Sequence, residues 1–552
     1  MKLSLVAFSA LLPSALALWP LPTGLSNGST PLRLSSGFDI KINIANAPAD
    51  LVAAVETAKG YLANDKLQAL VVDRGASSAS AIAKAKSLPS LTLSLLSTPK
   101  GPVSSISEEA IAPLESRVEG YTLTVPSDGS GAVLKANSTL GLYRGLTTFG
   151  QLWFDWDGTT YTLSAPFQIS DAPAYPYRGF MLDTARNYFP VSDILRTIDA
   201  MSWVKINTLH WHVVDSQSFP LEIPGYTALS EKGAYSASSV YTASDVKNIV
   251  TYAAARGIDV VPEIDTPGHT AVIANAYPEF VACPGSTPWA SYANEPPAGQ
   301  LRVASKAASN FTAGMLKAAA TLFPSQTFST GGDEINANCY ATDNETQASL
   351  AASNQTFAQA LNTFTMANHA ALRTEGKTAI VWEEMVLDDP VTLANDTIVM
   401  VWISSDDVAA VAAAGFRIVH SASNYFYLDC GHGGWVGDFP AGNSWCDPFK
   451  TWQYAYTFDP VANLTAAEAT LILGGQSLLW TEQSGPENLD STVWPRAAST
   501  AELFWSGPGG NVDTALPRLH EVVYRFRQRG VAANALQPEW CALRPGVCDL
   551  LA

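Results

Sequence analysis

TLHWHVVD, Thr208–Asp215, is a short apolar run that ends on a carboxylate, and its reading decides the fold. Seven further runs share its character: GFMLDTA (Gly179–Ala185), IDVVPEID (Ile258–Asp265), TFSTGGDE (Thr327–Glu334), TAIVWEEM (Thr378–Met385), TIVMVWI (Thr397–Ile403), FRIVHSAS (Phe416–Ser423) and QSLLWTE (Gln476–Glu482). Helical patterns separate them. ASDVKNIVTYAAARG carries Val246, Ile249, Val250 and Ala253 on one face, with Ser244 as its expected cap. FAQALNTFTMANHAALRTEG and ALPRLHEVVYRFRQRG, which ends at Gly530, are equally periodic. Near-continuous apolar strands alternating with helices make a parallel sheet covered on both faces. Eight such units over roughly 380 residues predict a (β/α)8 TIM barrel. An open, doubly wound sheet is the alternative.

Working outward, DAPAYPY (Asp171–Tyr177) is a proline-rich break that reads as a linker. The stretch before it reads as a smaller α/β domain. Its expected strands are LRLSSGFDIKIN, LQALVV, LTLSLLS and GYTLTVP, and TLGLYRGLTTFGQLW is its expected helix. The organisation read from sequence is a signal peptide over 1–18, an accessory α/β domain over 19–170 and a catalytic barrel over 171–552. A basic start, the apolar LSLVAFSALLPSAL and the Ala15-Leu16-Ala17 site make the secretory signal, with cleavage after Ala17 or Leu18.

The composition fits an exported chain. Six cysteines, an even number, allow 15 pairings. Proximity favours Cys283–Cys339, Cys430–Cys446 and Cys541–Cys548, and none forms the C-x2-C of a zinc site. Seven N-x-[ST] sequons begin at Asn27, Asn137, Asn310, Asn344, Asn354, Asn395 and Asn463, which predicts glycosylation. The net charge of −18 argues against nucleic acid or an anionic membrane as partner. A neutral small molecule fits better, and 15 Trp and 19 Tyr suit sugar stacking as well as they suit a core.

Barrel active sites lie at the C-terminal ends of the strands. Asp183 and Arg186 close the first run, Asp215 the second, Glu263 and Asp265 the third, and Asp333 and Glu334 the fourth. Trp382, Glu383 and Glu384 follow at the fifth, Trp402 at the sixth, Tyr427 and Asp429 after the seventh, and Trp480 and Glu482 at the eighth. This is an aromatic-walled cup of carboxylates with no nucleotide loop and no cofactor signature, which suggests glycoside hydrolysis. The usual glycosidase flanks the scissile bond with two carboxyls. Asp333 and Glu334 are instead neighbours, able to share one cup because Gly331-Gly332 frees the backbone. That geometry suits a substrate that supplies its own nucleophile, the carbonyl oxygen of a 2-acetamido group. Glu334 is then the acid and later the base, and Asp333 accepts the acetamido N–H as positive charge grows on it. The adjacent anion is expected to raise the pKa of Glu334.

GGDE followed by IN, with RGFMLDTARNYFP, HWHVVDSQSFP and EIDTPGHT upstream, resembles the β-N-acetylhexosaminidases of glycoside hydrolase family 20, the secreted fungal members most. The likeness runs from about Asp171 to the C-terminus, and EGYTLTV and GLYRGLTTFGQLW resemble that family's accessory domain. The resemblance implies exo-acting, retaining, substrate-assisted cleavage with Asp333 and Glu334 as the catalytic pair and no cofactor. Asp215 and His269 resemble the pair that supports the acid, and Arg178 of YRGF the arginine that holds sugar hydroxyls. Trp382, Trp402 and Trp480 resemble the walls around the acetamido methyl. Tyr427 would donate to the acetamido oxygen, and Asp429 and Glu482 would bind remote hydroxyls. A homodimer is implied by the same analogy.

Two other functions fit parts of the pattern. His210 and His212 share a strand face and would serve a metal-dependent hydrolase, although a hydrogen-bonded core pair reads better. A non-catalytic glycan-binding protein would not need both members of the Asp333–Glu334 pair.

Overall fold

The computed structural model describes residues 18–98, 101–438, 440 and 442–550. The signal sequence expected over 1–18 therefore lies outside the described residues except for Leu18. Leu18 is itself buried, and Trp19 donates its indole N–H to the Ala498 carbonyl at 2.8 Å.

The eight apolar runs form eight parallel strands that close on themselves: Tyr177–Asp183, Thr208–Val214, Asp259–Ile264, Thr327–Ser329, Thr378–Trp382, Ile398–Val401, Arg417–His420 and Ile472–Leu479. The first strand pairs with the eighth from Tyr177↔Gly474 to Leu182↔Leu479, and Ser329↔Glu263 joins the fourth to the third. Closure selects the barrel over the open sheet. Every residue of the first, second, third and eighth strands is buried, as expected of strands covered on both faces. The helix over Ala243–Ala254 is capped by Thr242, not Ser244. The Thr242 hydroxyl and the Asp245 carboxylate satisfy each other's backbone N–H in a capping box.

Ahead of the barrel, six strands form a mixed sheet in the order Gly24–Ile42, Lys86–Leu95, Ala132–Ala136, Tyr121–Val125, Thr159–Asp171, Phe154–Trp156. Helices Ala49–Asn64 and Thr139–Gln151 cover it. LQALVV is not a strand. Leu67 and Leu70 are buried, and the Leu67 carbonyl accepts from Asp155 N–H at 2.7 Å, so the segment packs as a loop beside the edge strand.

The smaller domain seals the N-terminal end of the barrel with buried ion pairs. Glu119 accepts from Arg144 at 2.7 Å and from Arg178 at 2.6 Å, and Arg117 reaches Asp259 at 2.8 Å. Asp171 receives the Lys205 ammonium at 3.0 Å, the Tyr121 hydroxyl at 2.7 Å and the Trp505 indole at 3.0 Å. Only the C-terminal end of the barrel is left for a site.

Candidate active site

At the end of the fourth strand three of four consecutive residues have positive φ: Gly331 at +62°, Gly332 at +104° and Glu334 at +53°. A Cβ on Gly331 would fall 2.0 Å from the Asp265 carboxylate, so no other residue fits there. The turn puts Asp333 and Glu334 into one cup. His269, itself at φ +54°, faces both, with Nε2 3.2 Å from Glu334 and 3.7 Å from Asp333. Its Nδ1 lies 3.2 Å from Asp215. Asp215 in turn holds His212 Nε2 at 2.8 Å and Arg186 at 3.0 Å.

The two neighbouring carboxyls titrate in opposite directions, and the order reverses the sequence expectation. Burial and the adjacent Asp265 drive Asp333 well above the ordinary carboxylate range. Burial also favours protonated Glu334, but the charge and bond of His269 outweigh it and leave Glu334 lowered. The decisive neighbour of Glu334 is thus a cation, not the anion beside it in sequence. His269 is protonated because Asp215, Asp333 and Glu334 together overcome its burial. Asp265, burial-raised to about 7, accepts Gly332 N–H at 2.8 Å and lies beside Asp333.

Aromatic rings wall the cup. Trp382 ends the fifth strand, 6.3 Å from Trp480, which is 6.3 Å from Tyr427. Trp402 lies parallel to Tyr427 at 6.3 Å and donates its indole N–H to Glu384 at 2.9 Å. Burial raises Glu384 to about 8 and Glu383 to about 9. Trp445, absent from the sequence reading, stands edge-on to both Trp402 and Tyr427 and is 67% exposed. Its loop is tied by Cys430–Cys446, and the Cys283–Cys339 and Cys541–Cys548 bridges are also formed.

Asp429 and Glu482 face the same space, raised by burial, Asp429 to about 7. Arg178 does not join them. It is the second residue of the first strand, buried at the opposite end and committed to Glu119 and to the Lys205 and Tyr175 carbonyls. The arginine of the cup is Arg186, which bonds Asp183 at 3.1 Å, lies 3.8 Å from Glu482 and 4.9 Å from the Trp480 ring. It also bonds Glu295, a carboxylate that the sequence reading missed because it comes from the loop following Cys283. Glu295 and Pro296 accept from the Gln217 amide, which pins that loop to the rim.

His210 and His212 both bond Glu263, at 3.1 and 2.6 Å, as a core pair. Three groupings of described residues are compact enough to hold a cation: Asp265–His269–Asp333, Asp215–His269–Glu295, and Asp429–Cys430–Cys446, whose two sulfurs are joined in a disulfide. The first two share His269, whose ring nitrogens face carboxylates, Nδ1 3.2 Å from Asp215 and Nε2 3.2 Å from Glu334. Among the described residues of the cup, five buried polar atoms have no hydrogen-bond partner: Asp265 Oδ2, His269 Nε2, Asp333 Oδ1, Trp382 Nε1 and Asp429 Oδ1. Unpaired buried groups concentrated at one place mark where a polar ligand completes the structure.

A TIM barrel whose C-terminal mouth carries paired carboxyls within an aromatic wall defines a glycoside hydrolase. Residues 175–508 match the family model "Glycosyl hydrolase family 20, catalytic domain", and residues 18–152 match "beta-acetyl hexosaminidase like". The chain belongs to glycosyl hydrolase family 20. It is 35% identical over 460 residues to a beta-hexosaminidase of Arthroderma benhamiae, covering 78% of this chain and 74% of that one. It is 33% identical to a chitooligosaccharidolytic beta-N-acetylglucosaminidase of Bombyx mori, covering 96% and 89%. A chitobiase of Flavobacterium johnsoniae superposes with a TM-score of 0.74 at 26% identity, covering 94% of this chain and 74% of that one.

Proposed function

We propose that the protein removes single β-linked N-acetylhexosamine units from the non-reducing ends of chitooligosaccharides and glycans, using the sugar's acetamido oxygen as nucleophile. The observation that carries this is the buried, unpartnered oxygen of Asp333 beside Glu334 on one backbone turn. With its proton passed to the neighbouring Asp265, which is raised to about 7, Asp333 accepts the acetamido N–H and holds the carbonyl oxygen against the anomeric carbon. Glu334, receiving a proton from His269 at 3.2 Å, gives it to the departing oxygen as the C–O bond breaks. The new bond from the acetamido oxygen closes a ring whose positive charge Asp333 stabilises. Water then adds to the same face from which the leaving group departed, Glu334 takes its proton, and the configuration is retained.

Arg186, Asp429 and Glu482 offer donors and acceptors to remote hydroxyls. Trp382, Trp402 and Trp480 enclose the acetamido methyl, with Tyr427 directed to its oxygen, and Trp445, edge-on to Trp402 and Tyr427, offers a face to the departing sugar. Export fits the three disulfides and the exposure of all seven sequon asparagines. Among the described residues no helix is long and apolar enough to cross a membrane. Light scattering checks the homodimer implied by resemblance.

The test is turnover of p-nitrophenyl N-acetyl-β-glucosaminide against the matching β-glucoside, each with and without chelator. Cleavage of the first alone, indifferent to chelator and blocked by a thiazoline mimic of the ring intermediate, is expected. Comparable cleavage of the glucoside, or loss on chelation with recovery by zinc, would overturn the reading. Binding without turnover would make the protein a lectin.

A further inference from the structure

Beneath the catalytic pair runs a continuous file of polar groups that starts in the core and ends at the partly exposed acid: Glu263, His212, Asp215, His269, Glu334. The successive contacts are 2.6, 2.8, 3.2 and 3.2 Å. We propose that Glu263 and His212 are positioning residues for the acid, a fixed imidazolium clamped between two carboxylates that orients Asp215 and tunes how strongly the His269–Glu334 pair holds its proton. The inference rests on the functional reading above.

The protonation of His212 follows from the bonding. An ionised carboxylate only accepts hydrogen bonds, so a ring with one carboxylate on each nitrogen carries a proton on both. Glu263 Oε1 takes Nδ1–H, and Asp215 Oδ2 takes Nε2–H. Neither carboxyl has room for its own proton. Glu263 Oε2 already receives the Ser329 hydroxyl and His210 Nε2–H, and Asp215 also receives Arg186, His269 and Ser216 N–H. The other ring nitrogen of His210, Nδ1, lies 3.2 Å from the Gln476 amide nitrogen. His212 is fully buried, and although burial opposes its charge, the bonds to Asp215 and Glu263 raise it to about 10.

The groups facing this ring come from five elements. Asp215 is on its own strand and Glu263 on the third. Asp183 ends the first strand and its partner Arg186 follows it, His269 and Asp265 follow the third, and Asp333 and Glu334 the fourth. Trp480, from the eighth strand, presents its ring 4.8 Å away and closes the site to water. The imidazolium lies nearer the acid than Glu263 does, so the two together put a net positive field on His269 and Glu334. That field eases transfer of the proton from His269 to Glu334 and onward to the leaving group.

Glu263→Gln keeps the shape but lets His212 go neutral. Weighing a cation about 8 Å from His269 against an anion about 12 Å away at an effective dielectric near 20, the alkaline limb of kcat/KM moves up by about half a pH unit. Its kcat falls while KM is nearly unchanged. A merely structural role would lower activity evenly at every pH and leave the limb where it was, and that result in a folded variant overturns the proposal. Selective 15N labelling of the histidine rings, with only seven in the chain, supplies a second readout on the wild type. His212 is expected to show two protonated nitrogens from pH 5 to 9, and a neutral ring at pH 7 overturns the proposal even if Glu263→Gln does not fold. A wild type that does not cleave the N-acetyl substrate sinks the functional reading instead, and the ring spectra report separately on His212.

Discussion

Arg178 and Arg186 are eight residues apart, yet one holds two domains together and the other serves the cup, so exchanging each tests the placement of the site. Arg178→Met removes three hydrogen bonds, to Glu119 at 2.6 Å, the Lys205 carbonyl at 3.0 Å and the Tyr175 carbonyl at 2.9 Å. Glu119, 3% exposed, keeps Arg144 and Asn207. Breaking one partner from a buried ion pair costs about 3–5 kcal/mol, and the two orphaned carbonyls, at about 1 kcal/mol each, bring the total to about 5–7 kcal/mol. At roughly 2–4 °C per kcal/mol, Tm falls by about 10 °C or more. Below that temperature kcat/KM on the N-acetyl substrate stays within about threefold of wild type. Arg186→Lys keeps the charge but loses the fork that spans Asp183, Asp215 and Glu295. Losing one or two bonds to charged groups, about 3–4 kcal/mol, lowers kcat/KM by about 10²–10³-fold with a small change in Tm. Thermal melts and steady-state kinetics on both variants settle it. A stable but inactive Arg178→Met, or an Arg186→Lys with intact kcat/KM, would refute the reasoning.

Glu334→Gln is expected to lower kcat by about 10²–10⁴-fold, since it removes the proton donor. Asp333→Asn is expected to cost about 10²–10³-fold, since it removes the charge opposite the acetamido nitrogen. Adding azide should rescue neither through a glycosyl azide formed opposite Asp333, and such a product would show that Asp333 acts as a nucleophile. Reverting Cys430 and Cys446 to serine frees the loop that carries Trp445. Stability should fall by about 3 kcal/mol for a closed loop of this length, and KM for chitotriose should rise several-fold with little change in kcat. An unchanged KM would remove Trp445 from substrate contact. Although burial alone would raise it, Glu119 is lowered to about 2 by Arg178 and Arg144. A depressed folded value contributes stability that is complete above the ordinary carboxylate range and lost as pH falls toward 2. This amounts to about 3 kcal/mol, and acid unfolding curves of Glu119→Gln should lack that component.

What sequence alone could determine was local or periodic. Eight apolar runs, seven of them ending in or beside carboxylates or tryptophan and one followed by Tyr427 and Asp429, specify strands and their polar ends because side-chain burial follows the pleat and the helix period. Gly331-Gly332 announces a turn that no side chain could make, and cysteines close in sequence are close in space. LQALVV failed because an apolar run without a partner strand packs equally well as a loop. The tertiary structure decided the rest, because it depends on direction and on neighbours far away in the chain. A strand rises about 3.3 Å per residue, so Arg178 and Asp183 stand roughly 17 Å apart at opposite ends of the barrel, which no motif match reveals. Glu295 and Trp445 enter the site from disulfide-tied loops whose sequence carries no period. The protonation order of Asp333 and Glu334 is set by Asp265 and His269, carboxylate against one and imidazolium against the other, and only folding brings those charges within reach.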